Sequence, residues 1–201
     1  NWSSYSRFVG DVFGAPLAFE GLMAFFFEAT FIGLWIFGWN KLPRGIHLAT
    51  IWITVAGTWL SAYFILAANA FMQNPQGYQM STEGHRAEMA NFWEVLTNPV
   101  ALTQLPHTLS SAIMFAAGVM IAASAWHLAR RQNVEMMRSS LRFGLWAMIA
   151  GFVAVFLSGD LLGLVMVQTQ SMKMAAAEAM FRAERIPTLS TTHTSIREIA
   201  T

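Results

Sequence analysis

The chain has 201 residues, of which 55% are hydrophobic and only 11% charged, with a formal net charge of +1. Soluble domains carry roughly 25% charged residues, so this composition excludes an ordinary water-soluble domain, and the near-neutral balance gives no electrostatic basis for binding nucleic acid. The absence of cysteine removes disulfides, thiolate metal sites, iron–sulfur clusters and cysteine nucleophiles together, leaving His, Met and carboxylates as metal ligands.

Residues 1–13 are aromatic and polar and are expected to form an interfacial lead-in. The chain starts at Asn1, with no basic segment leading into an apolar run, so no signal peptide is expected and the sequence reads as a piece of something longer. A transmembrane region is expected over 14–167, with about four spanning helices. The first, 14–39, reads GAPLAFEGLMAFFFEATFIGLWIFGW, long enough to cross a hydrocarbon core of about 30 Å. It holds Glu20 and Glu28. An ionisable group at membrane depth costs a few kcal/mol on insertion scales, so such groups usually face a bundle interior, a cofactor or a proton path. On a regular α-helix the eight-residue interval separates the two acids by about 12 Å in depth and about 80° in direction. The alternative is that Glu20 lies at headgroup level and only Glu28 is immersed.

The second span, 47–72, contains no Asp, Glu, Lys or Arg. The third covers 107–128, with Pro106 expected in its first turn, where proline is favoured. The fourth covers about 143–167, interrupted only by Asp160. Gly118 and Ala122, and Ala147 and Gly151, permit close helix contact. Between the second and third spans lies a long connection, 73–106, in which MANFWEVL is expected to form a short interfacial helix with Trp93 at headgroup level. Lys41 and Arg44 lie between spans one and two, and Arg130, Arg131, Arg138 and Arg142 between spans three and four. The 73–106 connection has Arg86 against Glu83, Glu88 and Glu94. By the positive-inside rule the first two connections are cytoplasmic and the third external. Glu20 then lies nearer the external face, on the side of His107 and the segment after residue 167.

Among the histidines, His107 is open to two readings, a haem ligand facing the bundle or an interfacial residue bonded to backbone. His127, beside Arg130 and Arg131, is expected to snorkel. No HExxH or paired-His spacing points to a protein-only zinc site. Asp160 reads either as a capping acid or as a third immersed carboxylate. Residues 167–185 are expected to form a helix, on which Lys173 and Glu178 are five apart and imperfectly aligned for an ion pair.

Taken together, the blocks GDVFGAPLAFEGLMAFFFEATFIGLWIFGW (10–39), LSAYFILAANAFMQNP (60–75), NPVALTQLPHT (98–108), GD (159–160) and KMAAAEA (173–179) resemble subunit I of cytochrome bd-type quinol oxidases. They occur in the family's order and at its spacing over about residues 1–183. The resemblance implies an all-α, polytopic transmembrane bundle of which this chain covers the third to sixth helices, with 168–201 as the start of the external quinol loop and a polar tail. It implies an electron-transporting quinol oxidase of the bacterial plasma (inner) membrane, active only in the complete complex with a second subunit. Its partners would be ubiquinol or menaquinol, oxygen and membrane lipid, with no nucleic acid.

The implied cofactors are a low-spin haem b, a high-spin haem b and haem d. By the same resemblance His107 is the axial ligand of the low-spin haem, and Glu20 ligates or approaches the iron of haem d. Glu28 delivers protons toward the high-spin haems, and Lys173 and Glu178 bind and oxidise quinol. Ser61, Asn69 and Glu28 count among the cofactor-binding positions of the core, and Asp160 is a further polar core position. Phe71, Trp59 and Ala29 depart from the family's usual Trp, Asn and Ser, and the tail from Ile186 follows no pattern of the quinol loop. The family's remaining haem ligands lie outside these residues, so the isolated segment is expected to be inactive. Other readings are a haem-free, proton-coupled transporter or channel fragment using Glu20, Glu28 and Asp160, or a non-functional truncation.

Overall fold

The computed structural model describes residues 2–82 and 84–180. They form a helical bundle with four helices long and apolar enough to cross a membrane: Ser3–Phe37, Arg44–Gln73, Pro99–Ala129 and Val134–Thr169. The first span is built from α1 (Trp2–Phe19), a π-helical turn (Glu20–Phe25) and α2 (Phe26–Phe37). The others are α3 (Arg44–Gln73), α5 (Pro99–Ala129) and α6 (Val134–Thr169). At 30 to 36 residues α3, α5 and α6 run about 45–54 Å, so their ends project beyond a hydrocarbon core of about 30 Å. Residues 2–13 are helical and continuous with the first span.

α3 is the hub, with 28% of its most apolar window buried against 6–11% for the other spans. Without a hydrophobic drive between helices in lipid, close backbone approach at small residues does the packing. Gly57 on α3 meets the first span so closely that an added Cβ would lie 3.2 Å from both the Ala24 carbonyl oxygen and the Glu28 amide nitrogen. Gly151 on α6 is the matching device against α5, where a Cβ would stand 3.3 Å from that of Met114. Thr50, Thr54 and Thr58 satisfy their hydroxyls on carbonyls one turn back within α3, which lets polar side chains line a span.

The connection after α3 is more ordered than its Pro and Gly content implies. Strands β1 (Tyr78–Met80) and β2 (Ala87–Met89) pair antiparallel. Asp11 of α1 accepts from the Met89 amide at 3.0 Å, tying this hairpin to the first span. The short helix expected around Trp93 is α4 (Phe92–Leu96), capped by the Asn91 side chain at the Trp93 amide.

The third span begins earlier than the proline suggests. Asn98 caps α5 by accepting from the Val100 amide at 3.0 Å, and Pro99 takes the first-turn position. A capping Asn followed by a first-turn Pro is a stronger start signal than Pro alone. Pro106 therefore sits inside α5, and His107 lies two turns within the helix. The helix expected over 167–185 is interrupted: α6 ends at Thr169, Gln170 has φ −138°, and α7 spans Ser171–Ala177. Ala179 then adopts φ +56°. Residues 181–201, including Ile186 and the rest of the tail, lie outside the described residues.

Candidate haem and quinol site

His107 is the best-defined candidate. Its Nδ1 lies 3.3 Å from the Ser158 hydroxyl of α6. That hydroxyl has one hydrogen, which it gives to the Ala154 carbonyl at 2.6 Å, with Val155 a longer second acceptor at 3.2 Å. Ser158 therefore accepts from His107, which puts the ring proton on Nδ1 and leaves the lone pair on Nε2. Among the described residues Nε2 has no hydrogen-bond partner. The next residue, Gly159, makes room for the ring: a Cβ there would lie 3.3 Å from His107 Cε1 and 3.4 Å from Nδ1. One turn before His107, the buried Gln104 Oε1 also has no partner among the described residues. A buried acceptor left open beside a candidate ligand is the kind of atom that a bound group satisfies.

Glu20 opens the π-helical turn, and its Oε1 accepts from the Ser61 hydroxyl of α3 at 3.0 Å. The π-turn corrects the geometry expected of the two acids. Such a turn accommodates about one extra residue, which removes about 100° of rotation over the Glu20–Glu28 interval. The separation in direction falls from about 80° to about 20°, so both acids share one face. Packing agrees. Glu20, Ala24 and Glu28 are the residues of 20–28 that are not exposed, and they run along α3 beside Ser61 and Gly57. Phe19, adjacent to Glu20, stacks on Phe64 of α3 at 5.9 Å and meets Phe92 of α4 in a tilted contact at 5.4 Å. Glu28 has no hydrogen-bond partner among the described residues.

At the end of α3, Gln73 Nε2 donates to Asn69 Oδ1 at 2.6 Å, and Lys173 of α7 donates to Gln73 Oε1 at 3.3 Å. Glu178 is the C-cap of α7 and is exposed, with no side-chain partner among the described residues. Lys173 and Glu178 do not pair with each other. Depth follows from packing, since Ala70 of α3 clusters with Val100, Ala101 and Met166. Counting from that level, His107 lies about 10 Å deeper along α5 and Ser61 about 13 Å deeper along α3. Glu20 and His107 are thus at similar depth, Glu28 is about 12 Å further on, and Lys173 is at the rim.

The family described as cytochrome bd terminal oxidase subunit I matches residues 1–198. The chain belongs to that family. It is 43% identical over 181 residues to the cytochrome bd ubiquinol oxidase subunit 1 of Bacillus subtilis (strain 168), covering 90% of this chain and 38% of that protein. It is 39% identical over 187 residues to the cytochrome bd-II ubiquinol oxidase subunit 1 of Escherichia coli (strain K12), covering 93% and 36%. The bd oxidase structure from Geobacillus thermodenitrificans superposes with a TM-score of 0.81 at 31% identity, covering 90% of this chain and 41% of that one. The chain thus spans well under half the length of these relatives.

Family membership implies haem, and the donors present fit an axial role. Among the described residues no group of three or more His, Cys, Asp or Glu is gathered to hold a metal by side chains alone. An axial ligand needs only one imidazole nitrogen, because the porphyrin supplies the others, and His107 Nε2 is such a nitrogen. Ser158, Gln104 and Gln73 were given no role from the sequence, and Gly159 entered only in the GD pair with Asp160. The signal for Ser158 and Gly159 was the pair SG before Asp160, since a serine and a glycine side by side give a helix both a hydroxyl and the space to seat a ring.

Proposed function

We propose that this chain is part of a quinol:oxygen oxidoreductase of the bacterial inner membrane, completed by the remainder of subunit I and by a second subunit. Quinol, as ubiquinol or menaquinol, is oxidised on the external side, at the end of the bundle where α3 meets α7. Oxygen is reduced to water with protons drawn from the cytoplasm, which builds a potential without a pump. The observation that carries this reading is His107, an imidazole with its Nδ1 proton held by Ser158 and its Nε2 open, in a chain of a haem-bearing family.

In this reading His107 would hold a low-spin haem b, and Glu20 would stand at haem d, with a high-spin haem b completing the set. Haem, when bound, supplies one-electron transfer and the iron at which oxygen reacts. The rest falls to side chains. Quinol must lose two protons and two electrons. Glu178, exposed and with no side-chain partner among the described residues, accepts the two hydroxyl protons in turn and passes each to the external water, while Lys173 donates to a ring oxygen and holds the ring. Ser61 fixes the Glu20 carboxylate through its hydroxyl, and Asn69 anchors the polar end of α3. Glu28, on the same face and deeper, exchanges protons along the first span.

The deciding experiment uses the complete two-subunit oxidase: a pyridine-haemochrome assay together with quinol-dependent oxygen uptake. Haem with oxygen uptake is the expected result. A complex without haem would sink the proposal and leave the haem-free transporter reading.

A second expectation concerns the seat of His107. Gly159→Val introduces branched atoms where even a Cβ lies 3.3 Å from the ring. The backbone of α6 is fixed by its own hydrogen bonds, so the ring must move. The low-spin haem absorbance should shift or be lost in this variant, and be altered less in Gly159→Ala. A wild-type spectrum for the valine variant would place the haem ligand elsewhere.

A further inference from the structure

The polar side chains where α3 meets α7 form a directed chain that the roles above leave unexplained. Lys173 Nζ donates to Gln73 Oε1 at 3.3 Å, and Gln73 Nε2 donates to Asn69 Oδ1 at 2.6 Å. An ammonium only donates, so the Gln73 atom facing it is the carboxamide oxygen. The amide nitrogen must then face Asn69, whose oxygen must accept. One charge thus sets the orientation of two carboxamides. The main-chain carbonyl of Gln73 is among the last of α3, which lack donors inside the helix. It accepts from the Gln170 side chain, in the break between α6 and α7. Met174 of α7 packs against the Ala70, Val100, Ala101 and Met166 cluster. Gln73 is therefore tied at its side-chain oxygen, its side-chain nitrogen and its backbone, with α3 on one side and residues 170–173 on the other.

We infer that Gln73 is a positioning residue for Lys173, and through it for the quinol oxygen that Lys173 holds. This rests on the quinol role proposed above for Lys173. The Lys173 side chain is exposed and rich in rotamers, so aiming it costs entropy unless a fixed acceptor has already chosen its direction. Gln73 is such an acceptor, because its carboxamide is pinned from behind by Asn69. A neutral amide suits the task. It occupies one of the three ammonium donors and leaves two for quinol, without neutralising the charge as a carboxylate would.

The test measures quinol KM and kcat in the complete two-subunit oxidase carrying Gln73→Leu, Lys173→Ala or both, alongside haem absorbance and melting temperature. Gln73→Leu is expected to raise the quinol KM by about three- to tenfold, the scale of one net hydrogen bond. Its kcat and haem spectrum should stay near wild type. Added to Lys173→Ala, the leucine should have no further effect, because Gln73 acts only through the lysine. Independent, multiplicative effects in the double variant would overturn the inference, as would a wild-type KM for Gln73→Leu beside an impaired Lys173→Ala. Should the leucine variant fail to assemble, Gln73→Glu keeps an acceptor for Lys173 and adds a competing charge. It should raise KM only while Lys173 is present; an equal effect in the Lys173→Ala background overturns the inference. A wild-type KM for Lys173→Ala itself removes the quinol role of the lysine and this inference with it.

Discussion

Replacing His107 with alanine in the complete oxidase should abolish the absorbance of the low-spin b-type haem and quinol-driven oxygen uptake together. The substitution deletes an imidazole whose Nε2, without a hydrogen-bond partner among the described residues, sits at similar depth to Glu20, between the rim that holds Lys173 and the deeper Glu28. Loss of an outer partner of a ligating histidine already costs about 10–100-fold in affinity or activity, so loss of the ligand itself should cost at least the upper figure. The helix should survive. α5 is capped by Asn98 and packs on α6 through Gly151 and Met114, well away from the deleted ring. Folding and assembly should therefore be retained, and the absorbance loss can be read as a ligand effect. Ser158→Ala offers a graded companion: the ring stays, its tautomer is no longer held, and the spectrum should shift without disappearing. An unchanged low-spin absorbance in His107→Ala would remove the axial assignment.

The parts of this molecule legible in the sequence were those governed by additive physics. Four apolar runs of more than 20 residues announce four spans, because each uncompensated charge in hydrocarbon is costly whatever its neighbours are. Runs 47–72 and 107–128 hold no Asp, Glu, Lys or Arg, and of the other two one holds only Glu20 and Glu28 and the other only Asp160. The short helix at Phe92–Leu96 was legible from its aromatic and apolar pattern. What could not be read was phase and partnership. The π-turn at Glu20–Phe25 brings the two acids onto one face, yet nothing in EGLMAF distinguishes it from an α-helical turn. It lies where the first span meets Gly57 and Ser61 of α3. Pro106 misled for a related reason, since a proline marks a helix start only when no better cap precedes it, and Asn98 with Pro99 does. The resemblance to the bd oxidases named His107, Glu20 and Lys173, but not what holds them. Ser158, Ser61 and Gln73 are common polar residues, and only the packing of α6 on α5, α3 on the first span and α7 on α3 reveals what they touch.

Glu28→Gln should slow oxygen reduction by about 100-fold, the lower range of what a positioned acid or base contributes. Haem content and the quinol KM should remain near wild type. The substitution keeps the shape and polarity of the side chain and removes its charge and its ability to exchange a proton. Packing supplies the control, because Glu28 meets α3 through its backbone amide near Gly57, a contact that glutamine preserves. Glu28 also has no hydrogen-bond partner among the described residues, so no structural bond is lost with the carboxylate. Keeping an acid there is costly for a spanning helix, and a glutamine would be cheaper to insert. A carboxylate placed there with no hydrogen-bond partner among the described residues leaves both oxygens open for the proton exchange proposed above. Glu28→Asp should recover part of the rate, since it restores the exchangeable proton on a side chain shorter by one methylene. Full oxygen-reduction activity in Glu28→Gln would mean that protons reach the oxygen site by another route, and the relay would have to be sought away from the Glu20–Glu28 face.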